Sequence, residues 1–206
     1  IITVSIIFVN TLIFLWMWLS PGNIGNQGYY RNYGLVPQEF FLAATGKYEL
    51  LPYNLMTVIT SMFLHGGFFH LAGNMLYLWI FGNNIEDVMG HRRYTVFYLL
   101  SGAAAALSQF LYDPHSTIPM IRASGAVSGT LGAYLLLFPH ARIKTLLFIF
   151  VFIKIVELPA ILLLSIWFFM QILFSHGEGV AWYAHIGGFI FGLITIKLFI
   201  ANKRRR

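Results

Sequence analysis

Two stretches decide the fold: AWYAHIGGFIFGLITIKLFI at residues 181–200 and ASGAVSGTLGAYLLLF at residues 123–138. Both are apolar runs with small residues at helical spacing. Each also carries a reactive side chain close to its start, His185 in the first and Ser124 in the second. Because a helix needs about 20 apolar residues to cross a bilayer, the runs predict membrane-spanning helices with polar chemistry near one end.

The rest of the chain has the same character. Its 206 residues are 58% hydrophobic and 10% charged, whereas soluble domains are about 45–50% apolar and about 25% charged. The sequence starts inside an apolar run without Met, so we expect a chain trimmed at its N-terminus. The pattern predicts an all-α fold, a polytopic membrane bundle of six transmembrane helices in one domain, residues 1–206. The predicted spans are Ile1–Leu19, Phe68–Ile85, Tyr94–Tyr112, Ala123–Phe138, Leu158–Phe174 and Ala181–Ile200.

Two segments between these spans have mixed character. The segment Ser20–Leu64 is long and contains Gly, Pro and many aromatic residues, which indicates a structure lying at the membrane interface. The run Ile143–Val156 is apolar, but Lys154 interrupts it and Pro159 follows closely. We therefore interpret it as an interfacial or re-entrant segment.

Charge predicts the orientation. The net charge of +6 could indicate nucleic acid, but cations that flank membrane spans on the cytoplasmic side account for it. With a cytoplasmic N-terminus, ten of the 13 Lys and Arg residues lie inside, and Arg31, Lys47 and Arg122 lie outside. We therefore expect an integral protein of a bacterial plasma membrane with both termini in the cytoplasm. We therefore expect the lipid bilayer as a partner and expect no nucleic acid.

Polar residues in the spans share one depth. Under this topology the second, fourth and sixth spans start at the outer face. His70 and Asn74 lie near the start of the second span, Ser124 near that of the fourth and His185 near that of the sixth. Polar groups inside spans are costly and usually functional. Three helices thus deliver reactive groups to the outer side.

Small residues predict how two of these helices pack. One stripe is Ser124, Gly125, Ser128, Gly129 and Gly132, and the other is Ala181, Ala184, Gly188 and Gly192. Such stripes let helices approach closely in lipid, which would place Ser124 opposite His185. A serine beside a general base is the arrangement that nucleophilic catalysis needs.

The remaining polar groups suggest supporting roles. His70, Asn74 and the backbone N–H of Ser124 are candidates for stabilising an oxyanion. The outer halves of these spans contain no carboxylate to orient His185, so the sequence predicts a dyad instead of a triad. Gln171 is interpreted as an interhelical hydrogen-bond donor. With no cysteine in the chain, cysteine nucleophiles and thiolate metal sites are excluded, and no cofactor or metal is predicted.

Four motifs, in order, resemble those of the rhomboid family of intramembrane serine proteases. They are HGGFFHLAGNM (65–75), FGNNIEDVMG (81–90), ASGA (123–126) and AHIGGFIFG (184–192). The resemblance implies that Ser124 and His185 form the dyad and that His70 and Asn74 are oxyanion donors. It also implies that the first loop is a membrane-dipping hairpin, and that the substrates are single-span transmembrane proteins cut in or near the outer leaflet.

Two positions depart from the family pattern. Arg122 stands where the nucleophile motif has Gly, and Ser128 stands where some members have an aromatic residue that stacks on the catalytic His. Three alternatives remain: a catalytically impaired rhomboid-like protein that binds membrane clients, a metalloprotease using His65, His70 and His185, and a transporter or channel. The last would need polar groups at the membrane midplane, where this sequence is apolar.

Overall fold

The fold is known from a computed structural model that describes residues 1–20, 27–121, 123–149, 152–173 and 181–200. Arg122 and the predicted span end at Phe174 lie outside these residues, as do the basic residues Lys203, Arg204, Arg205 and Arg206.

Helices occupy the position of every predicted span. In chain order the helices of the described residues are α1 (Ile2–Leu19), α2 (Gln27–Tyr33), α3 (Pro37–Thr45), α4 (Leu51–Thr60), α5 (Phe68–Tyr77), α6 (Asn83–Met89), α7 (His91–Tyr112), α8 (Ser124–Leu137), α9 (Ala160–Leu173) and α10 (Trp182–Phe199). A π-helical turn, Leu78–Gly82, joins α5 to α6. Among the described helices α1, α7 and α10 are each long and apolar enough to cross a membrane. The bent pair Tyr48–Phe63 and Phe68–Met89 is long and apolar enough when its two parts are taken together. Helices α8 and α9 have 14 residues each.

The second predicted span continues four residues past Ile85, to Met89, and takes in a buried glutamate. Glu86 is 1% exposed. Its carboxylate accepts hydrogen bonds from the backbone N–H groups of Ile2 at 2.7 Å and Thr3 at 2.8 Å, and from the Thr3 hydroxyl at 2.7 Å. These donors include first-turn N–H groups of α1, which have no acceptor within their own helix. Gly90, at φ 80°, then ends the helix.

The all-α prediction was wrong for one segment. Two strands, β1 (Arg142–Ile149) and β2 (Phe152–Pro159), form an antiparallel pair in which Lys144 lies opposite Glu157. The predicted fifth span therefore begins at Ala160 and not at Leu158. Pairing the two strands satisfies the backbone groups of this run. It is also rich in β-branched residues, which favour strands, at Ile143, Thr145, Ile149, Ile153, Ile155 and Val156.

The long segment before α5 is folded over one end of the bundle. The helical stretch Tyr48–Phe63 makes an angle of 83° with Phe68–Met89, so the two run nearly perpendicular. Leu35 pairs its backbone with that of Met120, just before α8, and the Tyr30 hydroxyl donates to the His65 carbonyl. The segment therefore lies at the end of the bundle where α8 begins.

The bundle is apolar outside and packs tightly inside. Helix α10 packs most extensively against α8 and α7. The largest buried cluster, which includes Phe97, Leu131, Tyr134 and Phe189, joins these helices. Large apolar side chains such as Phe8, Trp18 and Leu198 are exposed on the outer faces of the helices. An apolar exterior of this extent is suited to lipid.

Candidate active site

Glycines set the distance between α8 and α10. The backbone of Gly188 packs against the Gly125 carbonyl, and that of Gly192 packs against the Gly129 carbonyl. On the other helix Gly132 packs against the Phe189 carbonyl. A Cβ at any of these three glycines would meet backbone that cannot move aside. The predicted small-residue packing of the fourth and sixth spans is confirmed.

This packing brings the predicted nucleophile and base together. The Oγ atom of Ser124 lies 2.7 Å from Nε2 of His185, a short hydrogen bond. Ser124 is the first residue of α8 and is 8% exposed, and His185 lies in the first turn of α10. The two side chains meet at the same end of the bundle because the helices are in register along the glycine seam.

The start of α8 also concentrates hydrogen-bond donors. The first bond of the α8 ladder runs from the Val127 N–H to the Ala123 carbonyl. The N–H groups of Ser124, Gly125 and Ala126 therefore have no acceptor in the helix. They lie at the positive end of the helix dipole, which favours negative charge. An oxyanion formed next to Ser124 would benefit from both effects.

Ser128 does not take the role of the aromatic residue that stacks on the catalytic His in some family members. Its hydroxyl donates to the Ser124 carbonyl at 2.6 Å, so it is used within α8. Two aromatic rings lie near His185 instead, one from α9 and one from α10 itself. The ring centres of Trp167 and Trp182 lie 6.1 and 6.2 Å from the imidazole centre. Two indoles therefore lie near the imidazole.

Gln171 contacts the predicted base His185, which the sequence did not predict. Its Oε1 atom lies 2.7 Å from Nδ1 of His185, on the side of the imidazole opposite to Ser124. Gln171 is 7% exposed and belongs to the single buried stripe of α9, with Ala160 and Leu164. A lone amide in an otherwise apolar helix was the available signal. The expectation of an interhelical hydrogen bond was right, but Gln171 was predicted to donate it and instead accepts it.

The predicted oxyanion donors sit on α5, which packs against α8. Asn74 is 9% exposed, and among the described residues its Nδ2 atom is buried with no acceptor. His70 is half-buried, and its Nδ1 atom accepts a hydrogen bond from the Gly66 N–H at 3.4 Å. A buried amide donor without an acceptor is uncommon in folded proteins and calls for an explanation.

His65 packs beside this group in the segment that joins Phe63 to α5. It is 1% exposed, and its ring centre lies 5.3 Å from that of His70. Burial, followed by the proximity of His70, lowers the pKa of His65 to about 3. His65 is therefore neutral at physiological pH and packs as an uncharged ring.

Comparison with known proteins identifies the family. Residues 52–202 match the sequence profile of the Rhomboid domain, which is more than half of the chain. The chain belongs to the rhomboid family. With its apolar helices, this makes it an integral membrane protein of a protease family.

Relatives come from bacteria and from mitochondria. The chain is 38% identical to rhomboid protein 1, mitochondrial, of Saccharomyces cerevisiae over 112 residues, which are 50% of this chain and 32% of the relative. It is 38% identical to rhomboid protease GluP of Bacillus subtilis over 78 residues, which are 38% and 15% of the two chains. It is 28% identical to the mouse presenilin-associated rhomboid-like protein, mitochondrial, over 145 residues, which are 66% and 36%. The matched part is thus between 15% and 36% of the length of these relatives.

Proposed function

We propose that this rhomboid is an intramembrane serine endopeptidase that cleaves transmembrane proteins, with Ser124 as nucleophile and His185 as general base. The observation that carries the proposal is the 2.7 Å hydrogen bond between Ser124 Oγ and His185 Nε2. One relative, GluP of Bacillus subtilis, is named a rhomboid protease, which agrees with this chemistry.

The dyad chemistry follows from that bond. His185 Nε2 takes the hydroxyl proton as Ser124 Oγ attacks the scissile carbonyl carbon and forms a C–O bond. The resulting imidazolium gives this proton to the leaving amine when the C–N bond breaks. A water molecule, deprotonated by the same Nε2 atom, then hydrolyses the acyl-enzyme and regenerates the Ser124 hydroxyl.

Oxyanion stabilisation is assigned to three groups. They are the backbone N–H of Ser124, the amide Nδ2 of Asn74 and the imidazole of His70. Asn74 supports this assignment best, since its buried donor has no acceptor within the described residues and would gain one when the substrate carbonyl becomes negative. A donor that is satisfied only in the transition state stabilises it selectively.

The proposed topology has six membrane crossings with both termini in the cytoplasm. In it α8 and α9 also cross, although each has only 14 helical residues. The ten-to-three distribution of basic residues sets the orientation, as expected for a bacterial plasma membrane. The start of α8, and with it Ser124, then faces the outer leaflet.

Single-span membrane proteins are the proposed substrates. The exposed rings of Phe68 and Phe69 lie at the start of α5, one turn or less before His70. These rings make the approach to the site apolar, which suits a transmembrane segment entering from lipid. An extended stretch of that segment would present its peptide bond to Ser124.

A fluorophosphonate probe tests the chemistry without a substrate. It should label the wild-type chain in detergent and fail to label Ser124→Ala, and chelators should not affect the result. A folded wild-type chain that resists labelling would favour the impaired, client-binding alternative. Cleavage of a substrate that is lost on treatment with a chelator, without fluorophosphonate labelling, would favour the metalloprotease.

A further inference from the structure

We infer that Gln171 is a positioning residue that completes a neutral Ser–His–Gln relay; the inference rests on the proposed function. The relay joins three helices: Ser124 on α8, His185 on α10 and Gln171 on α9. Gln171 does not touch the reacting atoms. It acts through His185.

The orientation of the Gln171 amide is fixed by its own helix. Its Nε2 atom donates to the Trp167 carbonyl at 3.1 Å, one turn earlier in α9. A carbonyl can only accept, so the nitrogen must face Trp167 and the oxygen must face His185. The amide is therefore held with Oε1 as an acceptor 2.7 Å from Nδ1.

This orientation selects the tautomer of His185. An acceptor at Nδ1 requires that Nδ1 carry the proton, which leaves the Nε2 lone pair free. Nε2 is the atom in contact with Ser124 Oγ. The tautomer that can accept the serine proton is thus the one that Gln171 stabilises. The hydrogen bond from His185 Nδ1 to Gln171 Oε1 also prevents rotation of the imidazole ring away from Ser124.

An uncharged orienting residue fits the surroundings of the site. Gln171 is 7% exposed, and its helix is apolar apart from Ser165 and Gln171 itself. An ionised carboxylate at this depth would bear a large desolvation cost, whereas an amide with both of its polar atoms hydrogen-bonded bears little. The amide still accepts from Nδ1–H when the ring becomes an imidazolium, and that bond strengthens as charge develops.

The test compares three substitutions in the full chain. Gln171→Met keeps the volume and removes the acceptor, Gln171→Glu keeps an acceptor, and Asn10→Leu removes a buried amide elsewhere, on α1. All three are measured for thermal unfolding in detergent and for kcat, KM and the pH profile of cleavage of a single-span reporter. Activity of the wild-type chain itself tests the proposed function separately.

The expected results separate positioning from packing. Gln171→Met should lower kcat by about tenfold, which is the rate factor that corresponds to the loss of one neutral hydrogen bond, and should leave KM nearly unchanged. Gln171→Glu should recover most of this loss, since its carboxyl group, kept neutral by burial, still accepts from Nδ1–H and donates to the Trp167 carbonyl, and the recovery should be lost at high pH when the group ionises. Asn10→Leu should match the wild type. An active wild type whose kcat and pH profile are unchanged in Gln171→Met would overturn the inference, as would equal losses in Gln171→Met and Gln171→Glu.

Discussion

Gly192 of α10 lies against the carbonyl oxygen of Gly129 of α8, and a Cβ at position 192 would collide with that carbonyl. The neighbouring pair, Gly188 and the Gly125 carbonyl, makes the same kind of contact one turn nearer to the site. Both contacts are between backbones, so a side chain introduced there can be accommodated only by moving a helix. The distance from Ser124 to His185 therefore depends on these glycines.

Gly192→Leu should destabilise the protein and reduce cleavage. Overpacking of a close contact costs about 1–3 kcal/mol, and separation of α8 from α10 would lengthen the bond between Ser124 and His185. Thermal unfolding in detergent measures the first effect and reporter cleavage the second. Gly73→Ala is the control, because a Cβ there has open space, and it should unfold at or above the wild-type temperature. A wild-type unfolding temperature for Gly192→Leu would contradict the proposed role of the seam.

Asn74→Ala should lower kcat more than it raises KM. The loss expected for one oxyanion donor is about 10- to 1000-fold, because the contact is made only when negative charge develops. Asn10→Ala removes a buried amide from α1 and serves as the control for general destabilisation. If KM alone rose in Asn74→Ala, the residue would bind substrate or pack instead of stabilising the oxyanion.

Much of this fold was predictable from local pattern. Apolar runs placed helices at all six expected positions, and small residues at helical spacing predicted the contact between α8 and α10. For the segment Ile143–Val156, expected to be interfacial or re-entrant, only the all-α prediction was wrong. Its hairpin depends on pairing between β1 and β2, and an apolar run of this length fits a strand pair and a short helix equally well.

The candidate site was predictable in part, for a different reason. The contact between Ser124 and His185 followed from two helix stripes, each visible within its own span. The contact of Gln171 with His185 depends on how α9 packs against the other two helices. Glu86 was likewise missed as the acceptor for the first turn of α1, since 83 residues separate it from Thr3. Neither of these two pairs is marked by matching small-residue stripes, so sequence periodicity did not predict them.

Acid should destabilise the folded protein through His65. Its pKa of about 3 lies below the ordinary value of 6.5, so the unfolded chain binds a proton more readily than the folded chain between these values. The stability contributed by neutral His65 is complete above pH 6.5 and is lost progressively as the pH falls toward 3. His65→Gln should weaken the fall in unfolding temperature between about pH 7 and about pH 5, whereas His140→Gln, at an exposed position, should retain it. An identical fall in both variants would exclude His65 as the cause.

Single cysteines test the orientation in intact cells. The chain has no native cysteine, so each label reports one site. Lys47→Cys, in the exposed turn before α4, should react with an impermeant thiol reagent added outside. Lys144→Cys, exposed on β1, should react only after the membrane is opened. The reverse labelling pattern would overturn the orientation drawn from charge.

The central claim is tested most directly by cleavage of a generic single-span reporter in detergent, comparing the wild-type chain with Ser124→Ala, His185→Ala and the double variant. The wild type should cut the reporter, each single variant should be inactive while still folded, and the double variant should be no worse than either, because the two side chains act as one unit. Cleavage by Ser124→Ala at the wild-type rate would remove Ser124 from the mechanism. A folded wild type that leaves the reporter intact would contradict the proposed activity.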